Sequence, residues 1–181
     1  MSAWAFEPAP RTALPVEGDE ALFPVRRVYC VGRNYAEHAL EMGGARGESP
    51  VFFEKPADTL TTAAEVPYPP CTENLHHEVE LVVALAAGGK DLDPKTAAEC
   101  IFGYAVGVDL TRRDLQAQAK KKGMPWTTAK GFDHSAPIST IRPLADCVKP
   151  EQADIRLAVN GLMRQQGNTR EMIWSVPEVI A

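Results

Sequence analysis

Fifteen prolines and thirteen glycines interrupt this chain of 181 residues. They set its limits, because proline ends helices and is kept out of central strands, while glycine marks turns. Only short elements fit between them. The apolar runs that remain alternate between strand-like and helix-like spacing, which predicts an α+β or mixed architecture. At roughly 100–200 residues per domain, the length allows one sizeable core and no second independent module. Apolar and charged fractions of 45% and 24% belong to a globular protein rather than a disordered or fibrous one.

The net charge of -5 argues against nucleic acid as a partner, since phosphate binding needs a basic surface. Lys120, Lys121 and Lys122 stand just before Gly123 and suit the last turn of a helix, where cations complement the backbone dipole. Cys30, Cys71, Cys100 and Cys147 are scattered singly and read as reduced thiols of a cytoplasmic protein. Met1 to Pro15 has neither the basic start nor the apolar run of a secretory signal. The longest apolar stretch, Val79 to Ala87, is far short of a membrane span and is broken by Glu80, so no membrane partner is expected.

Along the chain, Val25 to Val31 predicts a strand leading into Asn34, which with Glu37 makes a capping-box pattern for a short helix over Tyr35 to Met42. His76 to Ala86 reads as one long strand, and Asp93-Pro94 opens a helix running to about Ile101. Tyr104 to Val108 predicts a strand ending at Asp109, and Thr111 with Asp114 a capped helix to Lys122. Ile155 to Val159, Asn160-Gly161 and the residues from Leu162 onward spell a β-hairpin. Ser175 and Glu178 form a further capping box with Pro177 in the first turn, and the chain stops at Ala181 within two turns, as if cut short.

Three constellations carry chemical potential. On a strand, Glu78 and Glu80 share a face, and two carboxylates in one space repel unless a hard cation lies between them. A half-exposed strand with both glutamates outward fits the same pattern, although Leu81 to Ala87 reads as buried on both faces. Arg113 and Gln116 stand one turn apart after Asp109, near a helix N-terminus that favours anions; a solvated helix start is the alternative. His38 and Glu41 are three apart, so the carboxylate can orient the imidazole for proton transfer; an ordinary surface pair on an amphipathic helix is the alternative. Lys130 sits among aromatic and small residues from Trp126 to Asp133, where its charge needs an anionic partner unless it faces solvent. Asp133-His134-Ser135 has the letters of a hydrolytic triad, but consecutive side chains cannot converge in line.

In this order, these stretches resemble the fumarylacetoacetate hydrolase family from about Tyr29 to the end. The specific segments are Gly32-Arg33-Asn34-Tyr35 with His38 and Glu41, His77-Glu78-Val79-Glu80-Leu81, and Asp109 through Arg113-Asp114 to Gln116. Pro125-Trp126 to Asp133 and Val159-Asn160-Gly161 to Thr169 add to them, and Phe23 to Gly32 is most similar to the branch containing bacterial fumarylpyruvate hydrolases. The resemblance implies a mixed-β roll with short flanking helices and a homodimer. It implies one Mg²⁺ or Mn²⁺, with Ca²⁺ as a further candidate, held by Glu78, Glu80 and Asp109.

By the same resemblance, His38 and Glu41 ride on a lid helix and act with Lys130 in catalysis, while Arg33, Arg113 and Gln116 bind substrate. The implied reaction is hydrolysis of a C–C bond in a 2,4-dioxo acid, such as fumarylpyruvate to fumarate and pyruvate in the breakdown of aromatic compounds. Oxaloacetate decarboxylation or another acylpyruvate cleavage is the nearest alternative, and a catalytically idle, metal-binding dimer subunit the alternative of another class. Family members continue into a Thr-Gly-Thr-Pro loop that does not occur here. The expected organisation is therefore residues 1–24 as an extension packed on a catalytic domain of 25–181 that lacks its C-terminal part.

Overall fold

The computed structural model describes residues 4–35 and 49–181. It is an α+β arrangement of short strands, mixed in direction, with small helices at the margins. Strands β1 (Ala13–Pro15) and β2 (Leu22–Pro24) form an antiparallel pair. Leu14 enters the core beside Ile141, Ile138, Ala105 and Ala84, and Phe23 meets Phe102 at a ring distance of 5.3 Å. Burying a side chain such as Ile141, 1% exposed, contributes about 1.5–3 kcal/mol, so this cluster ties the N-terminal pair to the central sheet.

Strand β3 (Val28–Gly32) pairs antiparallel with β4 (Val51–Lys55), and the short β5 (Leu60–Thr61) runs parallel to a later strand. The long strand expected over His76 to Ala86 is two: β6 (Leu75–His76) and β7 (Val79–Leu85). β7 pairs antiparallel with β8 (Ile101–Val108), which begins where the preceding helix was expected to end. That helix, α1 (Pro94–Ala98), is shorter than expected and is capped by the Asp93 carboxylate at 2.9 Å from the Lys95 amide.

After β8 the chain makes β9 (Thr111–Arg112), paired with β6, and then helix α2 (Arg113–Lys122), closed by Gly123 at φ 63°. The capping box expected from Thr111 and Asp114 does not form. Thr111 lies in the strand, and Asp114 instead accepts from the Thr72 hydroxyl at 2.6 Å and the Glu73 amide at 3.1 Å. Helix α3 (Thr127–Lys130) follows, then β10 (Ala136–Pro137) beside β5 and β11 (Arg142–Pro143) on the free side of β8. β11 crosses so close that a side chain at Gly103 would strike the backbone of Arg142.

The predicted hairpin is present as β12 (Asp154–Val159) and β13 (Leu162–Asn168), turning through Asn160 at φ 51° and Gly161 at φ 78°. Both positive angles match the twist of a two-residue hairpin turn. Helix α4 (Val176–Ile180) has the expected Ser175–Glu178 box. β7 is an edge strand and only half-buried along most of its length, so the expectation of a strand covered on both faces fails: its pairing is antiparallel, which leaves one face available. Most of the helix expected over Tyr35 to Met42, with His38 and Glu41, lies outside the described residues. The Asn34 carboxamide, expected to cap it, exchanges hydrogen bonds with the backbone of Trp174 at 2.8 and 2.9 Å. Among the described residues no helix is long and apolar enough to cross a membrane.

Candidate active site

The site lies where one antiparallel ladder is interrupted. β7 with β8, and β6 with β9, are two parts of a single pairing separated by His77-Glu78 on one side and Asp109-Leu110 on the other. The Asp109 amide still donates to the Glu78 carbonyl at 2.7 Å, so the backbones stay together while both carboxylates leave the ladder. Glu80, opposite Gly107 on β7, follows two residues on.

One ammonium gathers the acidic groups. Lys130, on α3 and 3% exposed, donates to Glu78 Oε2 at 2.6 Å, Asp109 Oδ2 at 2.5 Å and Thr111 Oγ1 at 2.7 Å. Arg113, at the start of α2, pairs with the other Glu78 oxygen and donates to Gln116 Oε1 at 2.6 Å. Glu78, Asp109, Lys130, Arg113 and Gln116 therefore form one connected network. Arg33 stands exposed at the end of β3 in left-handed backbone, φ 60°, and its charge reaches Lys120 on α2, which also feels Arg113, Glu78 and Lys130. His38 and Glu41 lie outside the described residues.

Electrostatics separates the two glutamates. Burial would raise Glu78, but Lys130 and Arg113 outweigh it and hold the carboxyl down at about 2. Glu80 is pushed up to about 8, first by burial and then by the charges of Asp109 and Glu78. Burial likewise pushes Asp109 up, while the ammonium groups of Lys130 and Lys55 pull it back. The Tyr35 hydroxyl, buried and within reach of the Glu80 charge, has no hydrogen-bond partner among the described residues. The Cys30 thiol on β3 is pushed up to about 12 by burial and by Asp109, which removes it as a nucleophile.

Three carboxylates and a threonine hydroxyl are hard oxygen donors of the kind Mg²⁺ and Mn²⁺ take. Among the described residues no three His, Cys, Asp or Glu side chains already stand as a metal-holding group; the Lys130 ammonium lies between Glu78 and Asp109. The donor set nonetheless fits a divalent cation. Glu80 holds its proton against two neighbouring carboxylates, a conflict that a cation relieves.

A consequence can be measured without metal. An ordinary glutamate releases its proton near 4.5 and Glu80 near 8, so folding takes up a proton between these values. Stability of the chelated protein should fall as pH rises through that window, and Glu80→Gln should remove the fall. Thermal unfolding at about pH 5 and about pH 8 tests this; the same pH dependence in both proteins acquits Glu80.

Four groups escaped sequence reasoning. Lys55 ends β4 and reaches Asp109 Oδ1 at 2.9 Å; a single lysine before Pro56 reads as a solvated strand end. Thr111 and Ser135, each 0% exposed, bind Lys130 through its ammonium and its carbonyl respectively. Gln165 on β13 accepts from the Val79 amide at 2.9 Å, fixing the backbone between the two glutamates. In sequence it stood out only as part of the stretch from Val159 to Thr169 that resembles the family.

Residues 27–181 match the fumarylacetoacetate (FAA) hydrolase C-terminal family. The chain is 45% identical to the fumarylpyruvate hydrolase of Pseudomonas aeruginosa, solved in complex with Mn²⁺ and pyruvate, with a TM-score of 0.94 over 98% of this chain and 79% of that one. A Burkholderia cenocepacia structure, provisionally assigned as a fumarylpyruvate hydrolase, is 51% identical with a TM-score of 0.91, covering 99% of this chain and 78% of that chain. Among curated relatives, the mitochondrial oxaloacetate tautomerase FAHD1 of Arabidopsis thaliana is 43% identical over 158 residues, 86% of this chain and 70% of that protein.

Proposed function

The chain belongs to the fumarylacetoacetate hydrolase family, and from that premise we propose that it is a metal-dependent hydrolase that cleaves the C–C bond of a 2,4-dioxo acid, with fumarylpyruvate as the substrate and fumarate and pyruvate as products. The observation that carries this reading is the convergence of Glu78 and Asp109 on one ammonium, with the Arg113–Gln116 pair attached. That is a site for a cation and an anionic ligand together. The Mn²⁺ and pyruvate bound in the Pseudomonas aeruginosa relative support it.

Glu78, Glu80 and Asp109 are the proposed holders of a Mg²⁺ or Mn²⁺ ion. When bound, such an ion supplies Lewis acidity where negative charge develops on the oxygens of the substrate. Arg113 and Gln116, in the first turn of α2, bind the carboxylate end, helped by the helix dipole. Arg33 completes the anion-binding side from the end of β3. Lys130 stabilises the anionic fragment as the bond breaks. His38, oriented by Glu41, takes the proton of the attacking water, help of a kind worth about 10²–10⁴-fold.

The net charge of -5 supports a small molecule rather than nucleic acid as ligand. Exposed Tyr29, Val51 and Phe52 on the β3–β4 pair support a homodimer. We read the protein as cytoplasmic, with residues 1–24 as an extension on the catalytic domain of 25–181. The second reading, action on oxaloacetate, is favoured by the Arabidopsis relative. Turnover of fumarylpyruvate, other acylpyruvates and oxaloacetate, with and without Mn²⁺, decides. Faster cleavage of fumarylpyruvate is expected; preference for oxaloacetate assigns the second reading, and no turnover of any substrate leaves an idle metal-binding subunit. In the same assay His38→Ala should lower the rate by about 10²-fold or more and leave Mn²⁺ affinity intact, whereas unchanged turnover removes the base from the scheme.

A further inference from the structure

We propose that Lys55 is a positioning residue of this site: it fixes the Asp109 carboxylate and the helix end bearing Lys130 relative to each other, so that Asp109 can serve as a ligand to a divalent cation. The inference rests on the metal-holding reading above. Its basis is the surroundings of one buried ammonium. Lys55 Nζ, on a residue 3% exposed, lies 2.9 Å from Asp109 Oδ1, 3.0 Å from both the carbonyl and the hydroxyl of Ser135, and 3.2 Å from the Leu110 carbonyl. It also donates to the carbonyl of Lys130.

An ammonium has three donors and no acceptor, so these oxygens satisfy it fully and leave nothing for substrate. Three of them are backbone carbonyls from separate stretches: the residue after Asp109, the end of α3, and the loop that follows it. Each stretch carries or adjoins a group of the site. The next residue strengthens the link, because Pro56 packs so tightly on Gly131 that an added Cβ would lie 3.0 Å from its ring. Lys55 therefore stands against Oδ1 of Asp109, while Oδ2 accepts from Lys130.

Charge and position predict opposite signs. A fixed positive charge beside Asp109 repels an incoming cation, so removing it would tighten metal binding if charge were all that Lys55 supplied. If Lys55 positions Asp109, removal weakens binding, and loss of a partner behind a metal ligand typically costs about 10–100-fold in affinity.

The experiment is a Mn²⁺ titration of metal-stripped full-length protein, read by the electron paramagnetic resonance of free Mn²⁺. It is run on wild type, Lys55→Met and Lys55→Gln, with thermal unfolding to confirm that each is folded. Affinity lower by about 10–100-fold in Lys55→Met supports the proposal. Should that variant fail to fold, Lys55→Gln decides by the same measure, because its amide is one atom shorter and has two donors where the ammonium has three, so the hold on Asp109 and the three carbonyls is lost with the charge. Unchanged or tighter Mn²⁺ binding in the folded variant overturns the role of Lys55 and spares the metal reading. Wild type that takes up no Mn²⁺ overturns the metal reading, and the role of Lys55 falls with it.

Discussion

Asp109→Asn is expected to abolish Mn²⁺ uptake and turnover and to destabilise the metal-free protein by about 3–5 kcal/mol, the usual cost of breaking a buried ion pair from one side. The carboxylate is 8% exposed and is gripped on both oxygens, by Lys55 at 2.9 Å and Lys130 at 2.5 Å. Asparagine keeps the shape and loses the charge, so two ammonium groups, 2% and 3% exposed, are left facing a neutral amide. At about 2–4 °C per kcal/mol for a domain of this size, the fall in melting temperature should be on the order of 10 °C. Thermal unfolding in chelator and a Mn²⁺ titration check the two halves of the prediction separately. Normal metal uptake by a folded Asp109→Asn protein removes Asp109 from the ligand set.

Lys130→Met should have the second-largest effect, of a different form. Without the ammonium, Glu78 and Asp109 confront each other in a buried space, and the chelated protein should lose about 3–5 kcal/mol. Added Mn²⁺ should restore much of that stability, because a cation again separates the carboxylates. Turnover should stay down by about 10²–10³-fold even at saturating Mn²⁺, the usual loss when one charged group that stabilises a developing anion is removed. Equal stability of Lys130→Met and wild type in chelator sinks this account.

The pH dependence supplies an independent check on the same variant. Glu78 is held at about 2, below its ordinary 4.5, so it contributes stability that is fully present above about pH 4.5 and is lost as pH falls toward 2. Lys130 is the strongest cause of that depression. Acid unfolding of Lys130→Met should therefore be less steep in this window than that of wild type.

Local signals were legible wherever a short-range rule decides. Asn160-Gly161 specifies a hairpin because its positive φ angles match the strand twist, and Ser175 with Glu178 caps a helix from side chains in the same turn. The spacing of Arg113 and Gln116 likewise predicted a shared helix face, and their side chains meet at 2.6 Å. Misreadings arose where distant chain competes for a local partner. Asp114 bonds Thr72 and Glu73 rather than capping its own helix with Thr111. The run from His76 to Ala86 has no breaker in it, yet it divides at His77-Glu78 because the carboxylate of Glu78 is drawn to Lys130 and Arg113.

The amino-acid sequence by itself determined the residue types of the site, the short-element α+β architecture and the family, since turn chemistry, helix spacing and ordered motifs are properties of neighbouring residues. Only the tertiary structure decided which charges meet. Lys55 looks in sequence like a strand-end lysine, and nothing local distinguishes it from Lys90, whose side chain is 90% exposed. It becomes part of the site because folding brings Asp109, Lys130 and Ser135 around its ammonium. A buried charge is tolerated only where oxygens from remote segments converge on it, and that convergence is a property of packing rather than of sequence spacing.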